Sequence, residues 1–390
     1  MKRIRKFSLL AILIVGGVLK INAQATSPNP ISTVAPLLLI NSDARSAGMG
    51  DVGVATSADA SSIYHNAAKM AFSTSEYKVG INYTPWLQNL VDGLFVGGGS
   101  VINRIDDRSA WGANLRYFSL GTIELYDEIA VPIGIENPSE LTAAVSYALK
   151  LNDYFSMGVA LRYIRSDLSI NSQNTDISPI NGFGVDVNGF YQSQERNYGS
   201  FNGRIRAGFN ISNLGPKVSY TSGEENFIPT RMRLGAGFDF IMDDYNMIGV
   251  TFETSKLLVP TPPIYGDHDD DPSTPDEIVK GKDDNVGWVE GIFQSFSDAP
   301  YGFQEELQEF TIGIGAEYLY NNSFALRTGY FHENEFKGNR QYATIGAGLQ
   351  ANSFNIDLSY LINTASVNNP LESTLRFSLS FDLGDIYENF

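Results

Sequence analysis

Near the end of the chain, Leu375, Phe377, Leu379, Phe381 and Leu383 alternate with Thr374, Arg376, Ser378, Ser380 and Asp382. Successive side chains of a β-strand point to opposite faces, so a period of two predicts a strand with one apolar and one polar face. The pattern recurs at residues 231–240. There Met232, Leu234, Ala236, Phe238 and Phe240 alternate with Arg231, Arg233, Gly235, Gly237 and Asp239. Similar segments begin near Tyr77, Gly93, Ala110, Leu141, Tyr154, Asn181, Gly203, Tyr245, Glu309, Ser323, Gln341 and Phe354. Most run for about 8 to 11 residues, the length a tilted strand needs to cross a bilayer. The total is about 14 strands, an even number, as closed bacterial outer-membrane barrels have.

A soluble sandwich would alternate too, and the connections separate the two readings. Short turns at residues 150–153, 241–244, 320–322 and 351–353 alternate with long connections at 120–140, 165–180, 213–230 and 255–308. Short turns on one side and long loops on the other are the habit of outer-membrane barrels. Only the connection at 192–202 is longer than this pattern predicts. The expected fold is therefore all-β: a transmembrane outer-membrane β-barrel of about 14 antiparallel strands spanning residues 77–390.

A barrel of this size encloses a lumen too wide for wall side chains to fill. Residues 36–76 do not alternate, are rich in Ala, Ser and Gly, and follow a Pro-containing lead. Residues 24–76 are accordingly expected to form a lead and a plug inside the lumen. The inward face of the predicted strands offers Arg116, Arg162, Arg204, Arg206, Arg231, Arg233, Arg327 and Arg376. On the same face lie Asp186, Asp239, Glu317, Asp357 and Asp382. Such residues are expected to pair and hold the lumen together; a solute-binding role is the sharper reading.

The N-terminus adds a compartment. Lys2, Arg3, Arg5 and Lys6 precede an apolar stretch at residues 7–19, and Ala23 supplies the small residue before a cleavage point. This is the layout of a secretory signal peptide over residues 1–23, and it is too short for a spanning helix. The absence of Cys excludes disulfides, thiolate metal sites and a lipoprotein leader. The net charge is -17; removing the five leader cations (Lys2, Arg3, Arg5, Lys6, Lys20) takes it to about -22, which disfavours a nucleic-acid partner.

Several motifs invite sharper readings. Gly48, Gly50 and Gly53 spell G-x-G-x-x-G, but no strand precedes them and no βαβ unit follows, so a dinucleotide site is not expected. Close backbone approach within the plug is. Asp267, Asp269, Asp270, Asp271, Asp276 and Glu277 crowd the longest loop. Asp267-x-Asp269-x-Asp271 resembles the start of a Ca²⁺ loop, yet Pro272 follows and the turning Gly is absent; a solvated acidic loop is expected, with no metal. The same loop carries Trp288, Phe293, Phe296, Tyr301 and Phe303, residues suited to a protein partner or to packing on the rim. His65, His268 and His332 have Ser and acid residues nearby in sequence, but no nucleophile motif accompanies them. No catalytic residues and no cofactor are expected.

The plug region carries a resemblance. Residues 43–55 (DARSAGMGDVGVA) precede residues 59–70 (DASSIYHNAAKM). These blocks, with Asp43, Arg45, Gly48, Gly50, Gly53, Tyr64 and Asn66 as their signature positions, resemble the N-terminal signature of the PorV family. That family belongs to the barrels similar to the FadL fatty-acid transporter. The second block there usually reads Asn-Pro-Ala; here Ala67 stands where Pro is usual. Leader, plug, strand number and terminal aromatic (Phe390) all agree with the family. The resemblance implies a non-enzymatic role in type IX secretion in the Bacteroidota. It implies binding the C-terminal signal domain of secreted cargo beside the translocon barrel called Sov or SprA. Delivery would follow to a surface attachment complex of the sortase PorU with PorQ and PorZ. The extracellular loops would make these contacts, within a surface wrapped by outer-membrane lipid. Two rival readings are transport of hydrophobic small molecules, as in FadL-like relatives, and lipid A deacylation.

Overall fold

The computed structural model describes residues 28–85, 93–127, 129–168, 178–221, 225–266, 277–365 and 374–387. The leader, Phe390, His268 and the acidic run Asp267, Asp269 and Asp271 lie outside the described residues.

Fourteen antiparallel strands close into one barrel. They are β1 (Ser75–Pro85), β2 (Leu94–Arg104), β3 (Ser109–Leu120), β4 (Ser139–Asn152), β5 (Phe155–Asp167), β6 (Ile180–Gln192) and β7 (Asn202–Leu214). The second half comprises β8 (Arg231–Ile241), β9 (Asn246–Leu257), β10 (Thr311–Tyr320), β11 (Phe324–His332), β12 (Gln341–Ala351), β13 (Phe354–Asn363) and β14 (Leu375–Ile386). Each strand pairs with its sequence neighbours, and β14 returns to β1 with Val79 opposite Phe381. The predicted alternation is present: in β14, Leu375 and Phe377 are exposed while Arg376 and Ser378 are buried. Strands β4 to β7 run to 13 or 14 residues, longer than the sequence pattern suggests. No helix among the described residues is long and apolar enough to cross a membrane.

Local chemistry sets the short turns. Asp106, Asn152 and Asp243 each accept two backbone N–H bonds from the residues that follow, the Asx-turn habit of these side chains. Asn321 and Asn322 both adopt positive φ, as a tight hairpin between β10 and β11 requires. The longer connection after β6 is explained by a two-residue strand, Arg196–Asn197, that pairs with the start of β7. Its Tyr198 and Phe201 stack at 5.3 Å and meet Phe238 and Phe240 at the short-turn end of the wall. A second aromatic group, Tyr83, Phe95 and Tyr117, sits toward the long-loop end. Two belts flanking an apolar band are what a bilayer with two interfaces selects.

Residues 28–74 thread the lumen from one mouth to the other. At the long-loop mouth, the Asn29 N–H donates to the Phe336 carbonyl and the Val34 N–H to that of Phe227. The chain then forms a 3-10 turn at Pro36–Leu39, helix α1 (Ala44–Ala47), helix α2 (Ser62–His65) and a 3-10 helix at Ala67–Phe72. It leaves at the short-turn mouth, where Arg104 donates to the Ser73 carbonyl. Ile63, Met70 and Ala71 pack against Ile102, Ala110 and Ala148 of the wall. Full burial of a side chain such as Met70 or Ile63 contributes about 1.5–3 kcal/mol.

Two further helices, α3 (Trp288–Gln294) and α4 (Phe303–Gln308), lie in the longest loop, residues 258–310. The described part of that loop, residues 258–266 and 277–310, folds over the outer mouth and positions the surface described next.

Candidate functional site

Asp43, Arg45, Gly53 and Asn66 of the plug signature are tied in by hydrogen bonds, whereas Gly48 and Tyr64 are placed by packing. Asp43 caps α1 by accepting from the backbone N–H groups of Arg45 (3.0 Å) and Ser46 (3.2 Å), and it meets His65 Nε2 at 3.2 Å. The other ring nitrogen of His65 faces Arg233 at 3.4 Å. An arginine only donates, so Nδ1 accepts and Nε2–H donates to Asp43. Burial holds His65 below its ordinary pKa, with the Arg233 charge adding to the effect against the bond to Asp43. Both ring nitrogens are thus occupied, one by Asp43 and one by Arg233.

Arg45 ties the plug to itself and to the wall. It bonds Asp59 at 2.7 Å and Glu317 of β10 at 3.0 and 2.8 Å. Burial alone would raise the Asp59 carboxyl, but the charges of Lys69 and Arg45 outweigh it and hold the group ionised. Lys69 donates to the Gly53 carbonyl and the Thr56 hydroxyl; burial pushes its ammonium down to about 8. Asn66 caps the 3-10 helix through Ala68 N–H and donates to Val54 and to Gly189 of the wall. Ala67, where Pro is usual in the family, therefore begins an intact turn. Gly50, at φ +69, and Gly48 lie against the wall; a Cβ on Gly48 would sit 3.1 Å from the Gly346 Cα. Tyr64 stacks loosely under Arg116, 5.9 Å from ring centre to guanidinium.

The wall's inward charges pair along the wall, most of them between neighbouring strands. Arg162 bonds Asp186 at 2.6 Å, Arg206 bonds Asp239 at 2.5 Å, and Arg327 bonds both Glu317 at 2.7 Å and Asp357 at 2.6 Å. Lys78 bonds Asp382 at 2.6 Å, and Arg376 bonds Asp51 of the plug at 2.9 Å. Arg233 pairs with Glu253, a residue the sequence reading did not single out. Glu253 also accepts the N–H groups of Gly53 and Val54 at 2.8 and 2.9 Å. Arg204 lies near the short turns with Glu195 at 3.6 Å.

Cavities flank the plug on both sides. The inner one, about 200 Å³, is bordered by Asp59, Lys78, Glu317 and Asp357. The outer one, about 310 Å³, is bordered by Asn41, Tyr64, Arg116, Arg231, Phe331 and Arg340.

Above the outer cavity lies the cap made by residues 258–266 and 277–310. Lys256 is fully buried and pairs with Glu306 (3.1 Å) and Glu309, while Lys337 from the β11–β12 loop pairs with Glu305 (2.6 Å) and Glu309 (3.0 Å). None of these residues was flagged from sequence. Glu305, Glu306 and Glu309 do occupy one helical face at i, i+1 and i+4, and that was the available signal. Their pairing turns the apolar side of α3 and α4 outward: Phe293 is 74% exposed and Phe303 is 76% exposed. Phe296 and Tyr301 are exposed as well, Tyr301 beneath the Lys280 ammonium at 4.5 Å, and Trp288 is half-buried. Among the described residues no group of His, Cys, Asp and Glu could hold a metal ion.

A family model described as type IX secretion system protein PorV matches residues 22–264. No curated protein matches the sequence. Among solved structures, the chain is similar to a deletion mutant of the TodX monoaromatic hydrocarbon channel. Identity is 12%, 89% of this chain and 98% of that chain are covered, and the TM-score is 0.52. It is also similar to the Ralstonia pickettii toluene transporter TbuX (13% identity, 86% and 96% covered, TM-score 0.45). A Pseudomonas aeruginosa FadL homologue matches at 11% identity, with 91% and 100% covered and a TM-score of 0.44. At such identities the likeness to TodX is one of fold. The closed barrel of 14 strands, its luminal plug and the family match over most of the chain agree: this protein belongs to the PorV family of type IX secretion, as an outer-membrane barrel whose fold is similar to that of the TodX channel.

Proposed function

We propose that this protein binds the C-terminal signal domain of secreted cargo beside the Sov- or SprA-like translocon barrel and carries it to the attachment complex of PorU, PorQ and PorZ. The observation that carries the reading is the cap. A loop of this length would ordinarily stay mobile, yet it is fastened to the mouth by Lys256 and Lys337 while Phe293 and Phe303 face outward. Ordered aromatic side chains exposed at a rigid rim favour protein recognition, because they bury much area with few rotors to freeze. The plug supports the same reading. Its ion pairs to the wall at Glu317, Glu253 and Arg376 favour a lumen that stays shut during the working cycle.

The test is affinity capture of tagged protein from detergent-solubilised outer membranes, followed by mass spectrometry. The wild type is expected to recover a very large barrel and proteins sharing a C-terminal signal domain. A variant lacking residues 267–285 and carrying Phe293→Ser and Phe303→Ser is expected to fold and to lose them. Undiminished capture by that variant would sink the proposal. A second reading, transport of hydrophobic small molecules, draws on the outer cavity, where Leu38, Leu39, Leu257 and Phe331 contribute apolar lining. Recovery of the barrel alone with bound lipid would favour it.

A further inference from the structure

The charges around the outer cavity do not balance. Of its basic residues, Arg162 is matched by Asp186, Arg233 by Glu253, Arg340 by Glu333 at 2.7 Å, and Lys337 by Glu305 and Glu309. The acid of the plug at this level, Asp51, is taken by Arg376. Arg116 and Arg231 are left over. Neither has a carboxylate at ion-pairing distance among the described residues. Arg116 is buried and donates only to the carbonyls of Leu37 (3.0 Å) and Ile40 (2.9 Å). The Arg231 Nε is buried with no hydrogen-bond partner. Both line the same cavity of about 310 Å³.

Leaving a buried guanidinium such as that of Arg116 without a counter-charge is costly, and a fold that matches its other luminal arginines has the means to avoid that cost. Guanidinium presents a planar fork of donors that fits a carboxylate or phosphate. Carbonyl bonds fix Arg116, so its orientation is set before any ligand arrives, which lowers the ordering cost of binding.

We infer that the outer cavity is an oxyanion-binding site, in which Arg116 and Arg231 take the carboxylate or phosphate group of a small ligand. Leu257 and Phe331, on the same lining, accept a short apolar stem. The volume admits a small molecule, a headgroup or a chain terminus and excludes a folded domain. The inference is independent of cargo shuttling: the cap faces outward, whereas this cavity lies beneath it.

Titration calorimetry and thermal unfolding of the detergent-solubilised full chain test it, with inorganic phosphate, butyrate and uncharged butanol as the added compounds. Saturable binding of phosphate or butyrate is expected, with a rise in unfolding midpoint and no response to butanol. Tighter phosphate binding identifies a free phosphate or phosphate headgroup as the source; tighter butyrate binding identifies a carboxylic acid or chain terminus. Arg231→Gln is expected to weaken the anion at least tenfold. Arg231→Lys, which keeps the charge and checks that the fold survives, is expected to retain binding at reduced affinity. No saturable signal in the wild type, or equal affinity in Arg231→Gln, would overturn the inference.

Discussion

Gly329 of the barrel wall and Gly50 of the plug lie backbone against backbone. A Cβ built on Gly329 would overlap the Gly50 nitrogen, and one on Gly50 would fall 2.7 Å from the Tyr330 carbonyl oxygen. Neither neighbour is the end of a flexible side chain, so neither can swing away.

Gly329→Ala is therefore expected to loosen the plug without disturbing the strands. Overpacking of this kind costs about 1–3 kcal/mol. Limited proteolysis in detergent should show faster cutting within residues 28–74, while the barrel's resistance to unfolding by heat persists. Gly99→Ala is the control: a Cβ there meets its nearest atom at 3.8 Å, ordinary contact. If both variants behave alike, the wall glycines do not define the seat of the plug.

Glu317 holds two arginines of different origin, Arg45 of the plug and Arg327 of the wall. Loss of Glu317 leaves Arg45 with Asp59 and Arg327 with Asp357, and loss of Arg45 leaves Glu317 with Arg327, so each single loss should fall below the about 3–5 kcal/mol of a fully stranded buried charge. Glu317→Gln should be destabilising, and Arg45→Met should be too. The double variant should cost clearly less than the two single losses added, since residues in one network do not act independently. Chemical unfolding of the four proteins measures the coupling, and additive losses would show that the pair contributes nothing specific.

Strand number and start positions could be read from the chain because a half-buried wall writes a period of two into every segment. Predicted starts such as Tyr77, Tyr154 and Tyr245 fall within two residues of β1, β5 and β9. Partners were not legible. That Arg45 would reach Glu317, or Asp51 would reach Arg376, depends on how residues 28–74 cross the lumen, and no local pattern encodes that path. The aromatics of the longest loop were legible as suited to a partner or to packing on the rim, but not what fastens them. The order of that loop comes from Lys256 and Lys337, residues at the two edges of the mouth that are distant in sequence.

Ala67 opens the 3-10 helix at Ala67–Phe72, and Asn66 before it is extended at φ -160 and ψ 100. The first helical position has an orphan N–H and suits proline, and an extended preceding residue is what proline demands. Ala67→Pro is expected to raise stability by about 0.4–1 kcal/mol through the unfolded chain. A thermal shift of the purified barrel reads it. A fall in midpoint would mean that the buried site has no room for the ring carbons.

Asp298 makes the cap sensitive to pH. Its carboxylate accepts the Thr261 N–H at 3.1 Å. Glu306 and Glu309 add like charge, and Lys256 opposes them. Burial first, then those like charges, push the group up from 3.8 to about 6. The docked cap therefore favours the protonated acid and binds more protons than the undocked loop between pH about 4 and about 6. Its contribution is greatest below pH about 4, declines as pH rises through 6 and is flat above that. Lys337 and Glu305 are the other charges on this face, paired with each other at 2.6 Å. Hydrogen exchange of residues 295–310, corrected for the intrinsic pH dependence, should show better protection at pH 5 than at pH 7. Asp298→Asn, neutral at both values, should remove the difference. An equal difference in that variant would assign the pH response to another group.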